Sequence, residues 1–189
     1  MVWLILIFGL IIVGFLFITY IYPSVIAAPF VATPKNYIRR AFQVCNLKAG
    51  EKVYDLGSGD GRALIIAAKE FGAEAKGFEL SYLLYLVSKA KILFRHLSKR
   101  AEVKWRNFYN EDLSQADVIF CWLTPRAFPK LAQKFNQELK TGTRVIAFSS
   151  PFGFWQSEQE IEFSSPGQKL FGKDIIKPSK VKLFFYSKK

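Results

Sequence analysis

Val53-Tyr54-Asp55-Leu56-Gly57-Ser58-Gly59-Asp60-Gly61-Arg62 decides the fold. A short strand over Lys52–Leu56 runs straight into a glycine-rich turn, and a helix over about Arg62–Phe71 follows, ended by Gly72. Glycines at a strand-to-helix junction permit a tight turn and let backbone N–H groups approach a ligand. Strand and helix signals keep alternating downstream. Strands are expected over Ala75–Glu79, Val103–Trp105, Asp117–Trp122 and Arg144–Ser149, with helices over Tyr82–His96 and Arg126–Leu139. Upstream, Thr33-Pro34 reads as an N-cap and first helical position, with Ile38, Ala41, Phe42 and Cys45 on one helical face. The tail offers a weak strand near Glu160–Ser164 or Gln168–Phe171 and a strong one at Val181–Tyr186. Such alternation predicts a largely parallel sheet with helices on both faces. Ligands then bind past the carboxyl ends of the strands, in loops 57–61, 79–82, 106–112, 122–126 and 149–155.

Farther out, the 189 residues divide in two. The chain is 51% hydrophobic yet carries a net charge of +12, and the first charged side chain is Lys35. Val2–Tyr22 is apolar and uncharged, about 31 Å as a helix, which matches a hydrocarbon core of about 30 Å. Trp3 at one end and Tyr20 and Tyr22 at the other suit the two interfaces, and Pro23 ends the run. Residues 1–23 are therefore expected to be a transmembrane anchor, 24–34 a linker, and 35–189 the folded domain. The rivals are an unusually apolar core helix and a cleaved signal peptide, with Ala27-Ala28 as its cleavage site, but no Lys or Arg precedes the apolar run. Lys35, Arg39 and Arg40 flank its carboxyl end, so the positive-inside rule puts the domain on the cytoplasmic side. Two distant cysteines, Cys45 and Cys121, suit a reducing compartment, and a single histidine, His96, argues against a metal site.

The glycine run alone does not single out a ligand. The dinucleotide fingerprint wants Gly or Ala at position 62, where this chain has Arg62, and no Walker lysine follows. Glu79 ends the second strand, where a carboxylate can accept hydrogen bonds from ribose hydroxyls. Asp55 adds a second carboxylate that a pyrophosphate would disfavour. Ribose, an ammonium and a sulfonium together suit this pair, which points to S-adenosylmethionine rather than NAD. Duller readings stand beside these: turn glycines, a solvated Glu79, and an Asn107 that merely serves a turn.

Asp55–Arg62 with Gly77-Phe78-Glu79-Leu80 resembles the first two motifs of class I, seven-stranded methyltransferases. With Pro29-Phe30-Val31-Ala32-Thr33-Pro34, Arg144-Val145-Ile146-Ala147 and Ser150–Trp155, the chain is similar to a narrower family. These are the membrane-anchored mitochondrial protein-lysine methyltransferases that act on the adenine nucleotide translocase and ATP synthase subunit c, with their prokaryotic relatives. The resemblance spans residues 29–155 and implies a Rossmann-like, mostly parallel seven-stranded sheet and S-adenosyl-L-methionine as cofactor. It places Gly57, Ser58, Gly59 and Gly61 in the cofactor loop and Asp55 by the methionine amino group. Glu79 and Leu80 fall at the ribose and Asn107 at the adenine, and Thr33, in the 24–34 segment, closes over the cofactor. Relatives often read Pro-Phe-Val-Pro where this chain has Ala32, which bears on the rigidity of that segment.

The same resemblance implies methyl transfer to lysine side chains of proteins at a membrane, on the matrix side if the protein is mitochondrial. A lysine acceptor must be neutral to attack, and Tyr82, Trp122, Trp155, Phe152 and Phe154 are candidate walls for its channel, or simply core. No catalytic base is evident: the amino-methylating Asn-Pro-Pro-Tyr motif is absent, and Cys121-Trp122-Leu123-Thr124-Pro125 stands in its place. Seven Lys/Arg lie between Lys89 and Arg106 against Glu102 alone, and Lys173–Lys189 adds six against Asp174. Beside an anchor, attraction to anionic headgroups is a simpler cause of that density than nucleic acid, and solvated helix faces are the plain alternative. RNA, or a membrane-resident quinone or lipid, remains the alternative acceptor. The sequence is silent on oligomeric state.

Overall fold

The computed structural model of the chain describes residues 1–16, 32–148, 151, 155–165, 168–170, 173–176 and 179–189. Helix α1 covers Val2–Leu16 and carries no charge. Among the described residues no helix is long and apolar enough to cross a membrane. Of the span expected over Val2–Tyr22, the part through Leu16 is helical. Tyr20, Tyr22, Pro23 and the linker through Val31 lie outside the described residues.

The domain then follows the alternating plan. Helix α2 (Lys35–Val44) leads to β1 (Lys52–Leu56), α3 (Arg62–Glu70), β2 (Glu74–Glu79), α4 (Tyr82–Phe94) and β3 (Ala101–Trp105). Next come β4 (Val118–Cys121), α5 (Phe128–Glu138) and β5 (Arg144–Phe148), then β6 (Gln159–Ser165), β7 (Gln168–Leu170), β8 (Lys173–Ile176) and β9 (Ser179–Ser187). Seven strands form one sheet in the order β3-β2-β1-β4-β5-β9-β6, and β7 pairs with β8 apart from it.

Four pairings, β1 with β2, β1 with β4, β2 with β3 and β4 with β5, are parallel. The expectation of a mostly parallel seven-stranded sheet is corrected at the other edge, because β9 runs antiparallel to both β5 and β6. The sheet is mixed. Parallel neighbours need a crossover such as the helices between β1 and β5, whereas antiparallel ones do not, and among the described residues from β6 to β9 there is no helix.

Side-chain alternation divides the core. Val53 on β1 and Phe120 on β4 join α2, α3 and Ile92 of α4 on one face. Tyr54, Leu56 and Ile119 face α5 through Leu131 and Phe135 on the other. Helix α2 buries Tyr37, Ile38, Ala41 and Phe42, the face its periodicity predicts. Its start lies one residue later than Thr33-Pro34 suggests: Pro34 occupies the cap and no side chain caps the helix. Thr33 is buried, and its carbonyl rather than its hydroxyl is engaged, by Arg62 Nη1 at 2.9 Å.

Candidate functional site

Strand order reverses direction between β1 and β4, with β2 and β3 to one side and β5 to the other. In such sheets the crevice past the carboxyl ends of those two strands is the ligand site. The glycine loop forms one wall there and Leu123, after β4, approaches Gly57.

Gly57, Gly59 and Gly61 all have positive φ, of 86°, 54° and 77°. At Gly61 the constraint is double, because a Cβ there would also lie 2.1 Å from Ser88 Oγ on α4. Gly77 has an ordinary backbone but faces a wall: a Cβ would meet Leu64 Cδ1 at 2.6 Å and Ser58 Oγ at 2.7 Å. That close approach lets helix α3 and the loop settle against β2. It also shows where Ser58 points. Its hydroxyl turns inward against Gly77, buried and without a hydrogen-bond partner among the described residues.

Glu79 is the brace of the loop. Its Oε2 accepts from Gly59 N at 2.7 Å and its Oε1 from Ser81 N at 2.7 Å, so one carboxylate joins the loop to the start of α4. Burial raises its pKa, against the backbone N–H groups of Ser81, Gly59 and Leu80, which favour the ionised form. Asp55 is only 4% exposed. Burial, and then the charges of Glu79 and Asp60, push its carboxyl well above the usual range.

Asp60 behaves oppositely. Burial works against its ionisation, but hydrogen bonds from Arg62 and Lys91 bring its pKa down to about 2. Arg62 grips it through Nε at 2.8 Å and Nη2 at 2.9 Å, and Lys91 from α4 reaches it at 2.5 Å. The remaining Arg62 nitrogen holds the Thr33 carbonyl. Arg62, read in the sequence only as a departure from the dinucleotide fingerprint, therefore ties Thr33 to the glycine loop. An Asp-Gly-Arg run closing a strand-to-helix turn is the signal that could have revealed this pairing.

The other expected residues fall into place unevenly. Asn107 lies just after β3, half-buried, and its Oδ1 accepts from Tyr109 N at 3.1 Å as the cap of a short 3-10 turn over Phe108–Asn110. Leu80 offers its carbonyl to Trp105 Nε1 at 2.9 Å. The expected aromatic channel is not assembled from Tyr82, Trp122 and Trp155. Trp122 stacks on Phe148 at 4.9 Å on the α2–α3 face, while Trp155 lies with Phe135 and Tyr186 on the α5 face. Tyr82 packs edge-on to Trp105 at 4.9 Å. Phe152 and Phe154 lie outside the described residues. Both cysteines are buried, free thiols whose pKa burial raises. Among the described residues no group of His, Cys, Asp and Glu could hold a metal ion.

The donor set fits S-adenosylmethionine. Asp55 and Glu79, both buried near the carboxyl ends of the neighbouring parallel strands β1 and β2, favour a cation, which the ammonium and sulfonium of this molecule would supply. The open strand ends leave the ribose within reach of the second strand's acid.

Comparison with known proteins bears on the same region. Residues 55–159 match the model of the ANTKMT methyltransferase domain. A curated protein-lysine N-methyltransferase of Saccharolobus islandicus (strain REY15A) is 33% identical over 135 residues, covering 71% of this chain and 84% of that protein. Among solved structures, an RNA methyltransferase from Salinibacter ruber in complex with S-adenosyl-L-homocysteine has TM-score 0.71 at 25% identity. That match covers 83% of this chain and 93% of the other. A SAM-dependent methyltransferase from Thiobacillus denitrificans, also with S-adenosyl-L-homocysteine, has TM-score 0.55 at 20% identity, covering 70% of this chain and 50% of its own, and shares the fold alone.

Proposed function

Since the chain belongs to the ANTKMT methyltransferase domain family and is a SAM-dependent methyltransferase, we propose that it methylates lysine side chains of membrane proteins from a membrane-tethered position. The observation that carries the chemistry is the buried Asp55–Glu79 pair beside the glycine loop, a cation-seeking site built for this cofactor. Lysine as acceptor is supported by the Saccharolobus islandicus relative. Tethering is supported by the absence of any charge before Lys35 and by the exposed apolar helix α1. With Lys35, Arg39 and Arg40 beyond that segment, the domain belongs on the cytoplasmic side, or the matrix side in a mitochondrion.

Bound S-adenosylmethionine supplies an electrophilic methyl group on a sulfonium. The chain's own residues bind and orient. Asp55 and Glu79 would hold the ammonium and ribose, Asn107 the adenine edge, and Thr33, whose carbonyl Arg62 holds, would close over the cofactor. Displacement at a methyl carbon gains from alignment, and no covalent enzyme intermediate is required. The acceptor amine must shed its proton first. At an ordinary pKa only about one lysine in 2,500 is neutral at pH 7, a deficit of about 4.6 kcal/mol, and the amine loses its proton to water before it attacks.

A second reading, transfer to RNA, draws on the likeness to the Salinibacter ruber enzyme and on the basic run from Lys89 to Arg106. Incubating the full chain and radiolabelled cofactor with membrane extract, then separating protein, lipid and RNA, decides between them. Label released as methyl-lysine on acid hydrolysis of membrane protein is the expected result. Label confined to RNA or lipid defeats the lysine assignment.

A further inference from the structure

Helix α4 is unlike the other domain helices. Helix α5 buries Phe128, Leu131, Ala132 and Phe135 and turns polar side chains outward. Helix α4 buries fully only Ser88 and Ile92. Its outer face presents Tyr82 (37% exposed), Leu83 (37%), Leu86 (42%), Leu93 (63%) and Phe94 (81%) to solvent. At 100° per residue these side chains share one side of the helix, interrupted by a single charge, Lys89. Trp105, half-exposed at the end of the adjoining edge strand β3, extends the patch beside Tyr82. A contiguous apolar face of this kind marks a contact surface.

Its border is cationic. Arg95, Lys99, Arg100 and Arg106 lie on the segment that follows the helix, and among the described residues none of these four is ion-paired. We propose that the outer face of α4 is a membrane-docking surface: the helix lies in the plane of an anionic bilayer, Leu86, Leu93 and Phe94 enter the headgroup boundary, and the basic border meets lipid phosphates and carboxylates. This rests on the membrane-tethered reading and adds to it the face that meets the lipid. Apolar and aromatic side chains on one side with Lys and Arg along the edge are what an interfacial helix requires. RNA is less suited, since the cations lie at the border and the exposed face itself is apolar, with Leu83, Leu86, Leu93 and Phe94 offering phosphates nothing. A second copy would bring one cationic border against another. Docked this way, the cofactor mouth at Glu79 and Ser81, from which α4 starts, opens along the membrane surface, level with lysines held in the headgroup layer.

The test uses the full chain labelled with an environment-sensitive thiol fluorophore at Phe94→Cys, at Leu93→Cys, or at Gln133→Cys on α5, the native thiols being buried. Phosphatidylcholine vesicles with and without phosphatidylserine carry quenchers on their acyl chains, and sedimentation reports binding of the chain as a whole. Expected is at least about a twofold quenching at positions 94 and 93 on anionic vesicles, weakened by Lys99→Glu with Arg95→Glu, and none at position 133. A chain that sediments with vesicles but is no more quenched at 94 and 93 than at 133 overturns the docking face and leaves the tether standing. A chain that does not sediment overturns the tethered reading as well. Shielding of the 94 probe that grows with protein concentration, or that follows added RNA but not vesicles, assigns the face to a second copy or to nucleic acid and overturns the proposal.

Discussion

The two ends of the seven-stranded sheet are held together by different means. At the β1–β2–β3 end, backbone geometry and buried charge do the work: three left-handed glycines, Glu79 bridging Gly59 and Ser81, and Asp60 gripped by Arg62 and Lys91. At the β5–β9–β6 end, Leu183, Phe185 and Tyr186 pack into the cores while exposed pairs such as Lys180–Glu162 and Lys182–Glu160 decorate the surface. The first end is intolerant because each polar group there is out of water and has few substitutes. The second tolerates change because its energy is spread over apolar area. Ligand chemistry is concentrated in the intolerant end.

That contrast can be broken. The largest effect is expected from Glu79→Ala, which removes two charge-assisted hydrogen bonds and leaves Gly59 N and Ser81 N without them. Affinity for S-adenosylmethionine falls roughly a hundredfold or more, read by calorimetric titration. Unchanged affinity would show that the brace and the cofactor site are separate. Next is Gly61→Ala, where positive φ and the overlap with Ser88 Oγ together cost roughly 2–4 kcal/mol in chemical denaturation. Ser88→Gly in the same chain restores the steric part only.

Asp60→Asn comes third. An acid whose pKa is depressed to about 2 on folding stabilises the fold above its ordinary value near 3.8 and loses that contribution as pH falls through 2. The variant is therefore less stable by roughly 2 kcal/mol at pH 7, with the gap closing below about pH 4. Asp55 has the opposite sign. Its raised pKa makes the carboxyl favour its neutral form in the folded protein, so cofactor affinity rises with pH above the ordinary carboxylate range, and binding releases a proton when the cation forces ionisation. Titrations in buffers of different ionisation enthalpy measure that proton. Smallest is Lys180→Ala, expected to leave both melting temperature and cofactor affinity unchanged.

The intolerant end was also the legible one. Lys52–Leu56, the glycine run and Glu79 announce themselves because turn chemistry and ligand chemistry both restrict residue type. The strand at Val181–Tyr186 was visible through its aromatic and branched residues, but not its direction, which depends on a connection that local pattern does not encode. The β7–β8 hairpin left only a faint trace, since short strands with Lys and Asp look like loop. Asp55 on β1 and the left-handed glycines before α3 follow the strand–turn–helix pattern of the sequence. Glu79's hold on Gly59, and Arg62's on Asp60 and Thr33, are tertiary choices that no periodicity reveals. The aromatic channel is not assembled because Trp122 packs against the core on the α2–α3 face and Trp155 against that on the α5 face, with the sheet between them.

Gly77, Ser58 and Leu64 share a space too small for any added atom. The three positions are consequently bound by one volume, and a sequence drifting over time can cross to a larger side chain at 77 only after position 58 or 64 has shrunk. The order of steps is fixed before selection for activity has any say.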